Sequence, residues 1–295
     1  MIGGDLSFQG GGYSRTPIEE ILPVHFEEIN RPFVDEGFQA VLNQEFSRHP
    51  ILRLEKELDL NQEVWRSLPP LQGINKGLIP DKNAHVLVQH AKGSAAPLLV
   101  VGGFGKGRTT LLGTDSMWNW NFRNVGSGGS GRYFQRFWSN VIDWLIAEPE
   151  TRRLQLESDK ERYQEGEQVL IKFKLLKKNY QPSTDTMAKL TLQSLKKEPR
   201  PEIELKTDEQ GEGVFPFLPD NEGFYTAQIK ADLEGESLSE EIMFSVLKDT
   251  VEFEKPLINE FLLKKISEVS GGRYLILNGS DDLSAYQFAN PDVQV

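Results

Sequence analysis

Two hydrophobic periodicities divide the chain. Up to about residue 150, short apolar runs suited to buried strands occur at "HVLVQHAK" (85–92), "PLLVVGGFG" (97–105) and "RTTLLGTD" (108–115). A segment follows in which Phe134, Phe137, Trp138, Val141, Ile142 and Leu145 recur at the three and four spacing of one helical face, which is expected to pack on the sheet. "AEPETRR" ends that pattern, because Pro149 cannot continue a helix. Beyond it apolar positions alternate: Val169, Ile171, Phe173 and Leu175, then Leu190/Leu192, Phe215/Phe217, Tyr225/Ala227/Ile229 and Ile242/Phe244/Val246. Strands at these intervals, split by "YQEGEQ", "TDEQGEG" and "PDNEGFY", predict an antiparallel β-sandwich of immunoglobulin type, with Tyr225 at a strand start as a candidate tyrosine corner.

The ends of the chain break both patterns. Leu257, Phe261, Leu262 and Ile266 share one helical face before a Gly271-Gly272 stop and the apolar "RYLIL", which predicts a helix-strand appendage. At the start, "MIGGDLSFQGGGY" resembles the last residues of a buried strand running into a glycine-rich loop, although strands usually have about five or six residues. The domains expected are therefore 1–150, an α/β domain whose earlier β-α units lie upstream, 151–250, the sandwich, and 251–295, the appendage.

Composition narrows the function classes. With 295 residues, 38% hydrophobic and 26% charged, the chain can bury a real core. No apolar run reaches the roughly 18 residues of a membrane span, and no signal peptide pattern opens the chain. The net charge is −11, spread as −3 over residues 1–150 and −8 over the rest, so neither half offers the basic face that nucleic acid requires. The absence of cysteine removes disulfides, thiolate metal sites and a cysteine nucleophile.

The remaining motifs are read in turn. "GGFGKGRTT" at 102–110 superficially resembles a phosphate loop, but a strand rather than a helix follows it, so it is expected to be a glycine hairpin with Lys106 and Arg108 solvated at its tip. "GSGGSG" at 126–131 is a loop ahead of the helix, and its serines do not fit Gly-x-Ser-x-Gly. His25, His49, His85 and His90 show no metal-ligand spacing, and no cofactor or metal is expected. One constellation carries possible chemistry. "GTDSMWNWNFRN" at 113–124 places Thr114, Asp115 and Ser116 at the carboxyl end of a strand, where α/β sheets have their ligand crevices. Trp118, Trp120 and Phe122 alternate after it, and Arg132 and Tyr133 follow the glycine loop. Aromatics beside a carboxylate suit a sugar or peptide pocket, while the alternative reading is that the tryptophans cap the core.

Three ordered segments, "MIGGDLSFQGGGYSRTPIEEILPV", "GKGRTTLLGTDSMWNW" and "YFQRFWSNVIDWL", resemble the class I glutamine-amidotransferase-like domain of large bacterial membrane proteins that also carry a von Willebrand factor A module. The resemblance covers about residues 1–147 and extends onward, since an immunoglobulin-like domain and a "SGGRY" helix-strand element follow that domain in those proteins. It implies a flavodoxin-like sheet whose first units precede Met1, with more β-α units and membrane spans encoded upstream. It also implies an extracytoplasmic, periplasmic location and protein partners in a membrane-anchored assembly. Active members use a cysteine on a strand-to-helix elbow with a His and a Glu after a late strand. This chain has no cysteine, and Thr114-Asp115-Ser116 without His stands at the late strand end. The expected function is a non-catalytic interaction or sensing module. Its candidate ligand-binding residues are Asp5, Ser7, Phe8, Thr114, Asp115, Trp118, Trp120, Arg132 and Tyr133, with the loops after the two strand ends meeting. The alternative is a hydrolase acting on glycan or peptide, using Asp115 as acid or base and Trp118 with Trp120 as the platform.

Overall fold

The computed structural model describes residues 1–91, 96–126, 128, 130–194, 200–248 and 259–276. Residues Met1–Leu247 form one compact unit and Lys248–Val295 a second. In chain order the first unit contains α1 (Pro17–Ile21), β1 (Val24–Phe26), β2 (Phe33–Phe38), β3 (Ala40–Leu42), α2 (Leu58–Ser67), β4 (Leu71–Asn75), β5 (Leu78–Pro80), β6 (His85–His90), β7 (Pro97–Phe104) and β8 (Gly107–Leu112). Next come α3 (Asn119–Gly126), α4 (Arg132–Leu145), β9 (Leu154–Ser158), β10 (Arg162–Gln164), β11 (Val169–Leu175) and β12 (Met187–Ser194). Then follow β13 (Ile203–Lys206), β14 (Glu212–Phe217), β15 (Gly223–Leu233) and β16 (Glu236–Leu247). The fold is rich in sheet, with few helices.

The central sheet of the first part runs β3-β6-β7-β8, each pair antiparallel, and Ile2 adds a parallel bridge to Leu112 at its β8 edge. Alternation along the strands buries both faces. Leu99, Val101 and Leu112 join a large cluster with α2 and α4, while Val100 and Leu111 join a smaller one with Phe8, Val24, Phe26 and Leu78. The segment "GGFGKGRTT" is indeed a hairpin: Phe104 pairs with Gly107, and Gly105 takes the left-handed φ of 58° that the tight turn needs.

Two expectations for this part are corrected. In α4 the buried positions are Phe137, Val141 and Trp144, with Phe134, Trp138 and Leu145 packed beside them, whereas Ile142 is 54% exposed. The buried stripe is turned towards Trp144 because that indole donates to the Tyr180 hydroxyl at 3.1 Å, and Tyr180 is itself buried in the same cluster. Arg108, in turn, is half-buried and anchored rather than solvated at the tip. It donates to the Trp144 carbonyl at 2.7 Å and to Thr151 Oγ1 at 3.1 Å, with its guanidinium 5.1 Å from the Trp144 ring centroid.

After β8 and the two helices, a five-stranded sheet, β10-β16-β15-β12-β13, and a three-stranded sheet, β14-β11-β9, contribute to one further cluster. The period-two residues of the sequence are its core: Val169, Ile171, Phe173 and Leu175 from one sheet meet Leu190, Leu192, Tyr225, Ala227, Ile229 and Phe244 from the other. The Tyr225 hydroxyl donates to the Asn221 carbonyl at 2.8 Å, four residues upstream at the strand entry, which is the bond of a tyrosine corner. Its ring lies parallel to that of Phe244, 5.6 Å away.

In the second unit α5 spans Glu260–Ser270, capped by Asn259, whose side chain accepts from Leu262 N, and stopped by Gly271 at φ 71°. Phe261, Leu262 and Ile266 are exposed, Leu257 lies outside the described residues, and residues 272–276 adopt no regular structure.

Candidate functional site

The two strand ends meet. Gly3 N donates to Leu112 O at 2.9 Å, which aligns the opening segment beside β8, and the Asn75 side-chain amide at the end of β4 donates to the carbonyls of Gly3, Gly4 and Gly113 at 3.0–3.2 Å. Asn75 therefore pins both loops from beneath, with three carbonyls sharing its two protons. A Cβ on Gly4 would lie 2.6 Å from Asp115 Oδ2, so glycine is what allows the opening loop to approach that carboxylate. Above this contact, Ser7 Oγ accepts from Gly4 N at 3.0 Å, and the exposed Asp5 accepts from Leu6 N.

Thr114 and Ser116 form a short relay with a fixed direction. Thr114 Oγ1 donates to Gly73 O at 2.6 Å, so its proton is used. The 2.9 Å contact between the two hydroxyls is then a bond in which Ser116 donates, while Ser116 Oγ accepts from Gln72 N at 2.9 Å. Each hydroxyl has one proton, and both protons are committed. Among the described residues neither side chain faces a base that could withdraw one, as an activated nucleophile requires. The Asp115 carboxylate has no hydrogen-bond or ion-pair partner among the described residues, and it is exposed to solvent. An acid or base tuned for catalysis is usually held by burial or by a second polar group.

The aromatic residues separate into surface and core. Trp118, at the end of a single 3-10 turn opened by Asp115, is 50% exposed and forms a tilted pair with the exposed Phe122, centroids 6.2 Å apart. Trp120 is 1% exposed. It packs edge-on against Trp65 at 5.4 Å and Phe137 at 5.7 Å, and its indole donates to Pro69 O at 3.0 Å. Phe8 is also 1% exposed, in the small cluster beneath the opening loop. Phe8 and Trp120 thus offer a ligand no surface, which corrects their expected place in the pocket lining. Arg132 and Tyr133 lie at the start of α4, where both bond to Glu55 and the Arg132 guanidinium covers the Tyr133 ring at 4.5 Å. The hydrogen bond to Tyr133, more than the Glu55 charge, holds the Arg132 pKa above its ordinary value. No contact ties this trio to Asp115 or Gly4 among the described residues.

All four histidines are engaged elsewhere. His25 faces Asp81 at 3.0 Å, His49 lies between Trp144 and Tyr180, His85 packs on Phe46, and His90 stacks on Phe38. Among the described residues no three His, Asp or Glu side chains come together as a metal site, and no helix is long and apolar enough to cross a membrane. Sequence reasoning missed Asn75, whose one signal is a polar residue closing the apolar strand "LQGIN".

Residues 1–147, just under half of the chain, match the family model described as "Putative glutamine amidotransferase", so this part of the protein is similar to that family. Nothing among curated proteins matches. Solved structures similar to part of the chain include a family 76 glycoside hydrolase from a bovine Bacteroides thetaiotaomicron strain, 19% identical over 34% of this chain and 22% of that one, with a TM-score of 0.26. Others are the Lin-41 filamin domain, 14% identical over 32% and 93%, and the endo-beta-1,4-mannanase from Thermotoga petrophila, 11% identical over 40% and 24%, both with TM-scores of 0.26. The chain thus spans about a fifth of the glycoside hydrolase's length. At such TM-scores these likenesses support no conclusion about activity.

Proposed function

We propose that residues 1–150 are a non-catalytic amidotransferase-like module of flavodoxin-like descent, followed by an immunoglobulin-like sandwich over 151–250 and an appendage over 251–295. Together they serve interaction or sensing on the extracytoplasmic, periplasmic face of a bacterial membrane as part of a larger anchored protein. The observation that carries the reading is the strand-end relay. Where glutaminases of the resembled class place a base, this chain has Thr114 and Ser116, whose protons are tied to each other and to Gly73 O, beside a solvated Asp115. The tyrosine-corner bond of Tyr225 supports the sandwich assignment, and the resemblance alone supports the location and the assembly.

The recognition surface proposed is the rim of that crevice: the exposed Asp5, Asp115 and Trp118 with the half-buried Ser7, and Thr114 as their buried support. The hydrolase alternative loses half of its platform, since Trp120 lies in the core. Replacing Trp118 by alanine tests the rim directly. The melting temperature is expected to stay nearly unchanged, because half of the ring is already in water, while binding of the assembly partner weakens by about 1–3 kcal/mol. A stability loss of about 3–5 kcal/mol in the same variant would place Trp118 in the core and remove the rim.

A further inference from the structure

A concavity of about 470 Å³ opens within the first unit, between the β7-β8 hairpin, the end of α4 and the β16 side of the sandwich. It lies within the range of small-molecule sites. Its wall is unusual for so acidic a chain: five cationic side chains, Lys106, Arg108, Arg152, Arg153 and Lys178, stand against two carboxylates, Glu236 and Glu240. The carboxylates are already committed. Glu240 pairs with Arg152 at 2.6 Å, and Glu236 pairs with Arg153 and, at 3.2 Å, with Lys178.

Lys106 and Arg108, two residues apart on one hairpin, are the cations left without an acid. Lys106 is exposed at the turn and has no partner among the described residues. Arg108 is half-buried and fixed in direction by the Trp144 carbonyl, Thr151 Oγ1 and the Trp144 ring. Burial pushes its pKa down; Tyr180 opposes that shift, while repulsion from Arg152 and Arg153 adds to it, so an anion arriving there would offset part of the burial cost. Burial disfavours the charged form of both wall histidines. His49 is fully enclosed, accepts from Ile51 N through Nδ1, and is held neutral well below its ordinary pKa by burial; burial lowers His85 in the same direction.

We infer that this cleft binds a small molecule carrying an oxyanion group, phosphate or carboxylate, through Lys106 and Arg108. A fixed guanidinium beside a mobile ammonium suits such a group: the first orients it, the second supplies charge that follows it. The inference stands independently of the strand-end reading, because it shares no residue with that crevice.

Titration calorimetry of the whole chain with inorganic phosphate, and separately with succinate, tests it, alongside thermal melts. Saturable binding of either probe is expected, and the tighter one identifies the class. Lys106→Glu should weaken that binding at least tenfold and abolish the ligand-induced rise in melting temperature, whereas Lys106→Arg should keep both. Lys106 is an exposed turn residue without partners, so the variant's unliganded melt should match the parent and show that folding is intact. No saturation by either probe up to about 10 mM, or binding equally strong in Lys106→Glu, would overturn the inference.

Discussion

Trp120→Ala is expected to cost about 3–5 kcal/mol of stability, the range of large aromatic truncations in cores, and to lower the melting temperature by on the order of 10 °C. The substitution empties the centre of an aromatic triad with Trp65 and Phe137 and removes the indole donor from Pro69 O. The part-buried Pro69 carbonyl also loses its donor, which adds a smaller term to the cavity cost. Denaturant or calorimetric unfolding of this variant beside Trp118→Ala measures the difference between two tryptophans only two positions apart. Equal effects would contradict the assignment of one to the core and the other to the rim.

Gly3→Ala is expected to be nearly as damaging, by about 3 kcal/mol, although it adds a single methyl group. A Cβ at that position would lie 1.9 Å from Phe8 Cε2. Phe8 cannot retreat easily, because it is held at a left-handed φ of 52° within a cluster formed by Phe26, Val24, Leu78, Val100 and Leu111. The methyl therefore either overpacks that cluster or expels the ring. The mechanism makes a non-additive prediction. In a Phe8→Ala background the Gly3→Ala change should cost almost nothing, since the atoms it meets are gone. Urea unfolding of the two single variants and the double variant checks this, and additive costs would mean that the glycine is required for another reason.

What was legible in the sequence follows from the range of the forces involved. The sandwich strands could be read because a two-residue period is set by neighbours in the chain, and Val169 to Leu175 alternate in the structure as they do on paper. The β7-β8 hairpin could be read from its glycines for the same local reason. The side on which a residue is buried depends on distant partners. Trp118 and Trp120 are separated by about 200° around a helical turn, so one was bound to face inward, but only Trp65 and Phe137 decide which. Trp144 displaced Ile142 from the buried face of α4 because Tyr180, thirty-six residues later, reaches it. Arg108 was read as solvated because nothing in its hairpin announces Thr151 or the Trp144 carbonyl.

The crevice was legible in outline and not in chemistry. Strand ends and glycines located it, and Gly3, Gly4, Thr114 and Asp115 do come together there. The directions of the hydroxyl protons could not be read, because they depend on Gly73 O and Gln72 N, which are contributed by β4. Those directions are the main physical support for the proposal that the site is non-catalytic.

The most direct test of that inertness is ammonia release from glutamine by the purified chain, followed across about pH 5 to 9 so that a base of shifted pKa is not overlooked. The account predicts a rate equal to the blank at every pH, for the parent and for Asp115→Ala alike. Turnover above the blank that Asp115→Ala abolishes would contradict it.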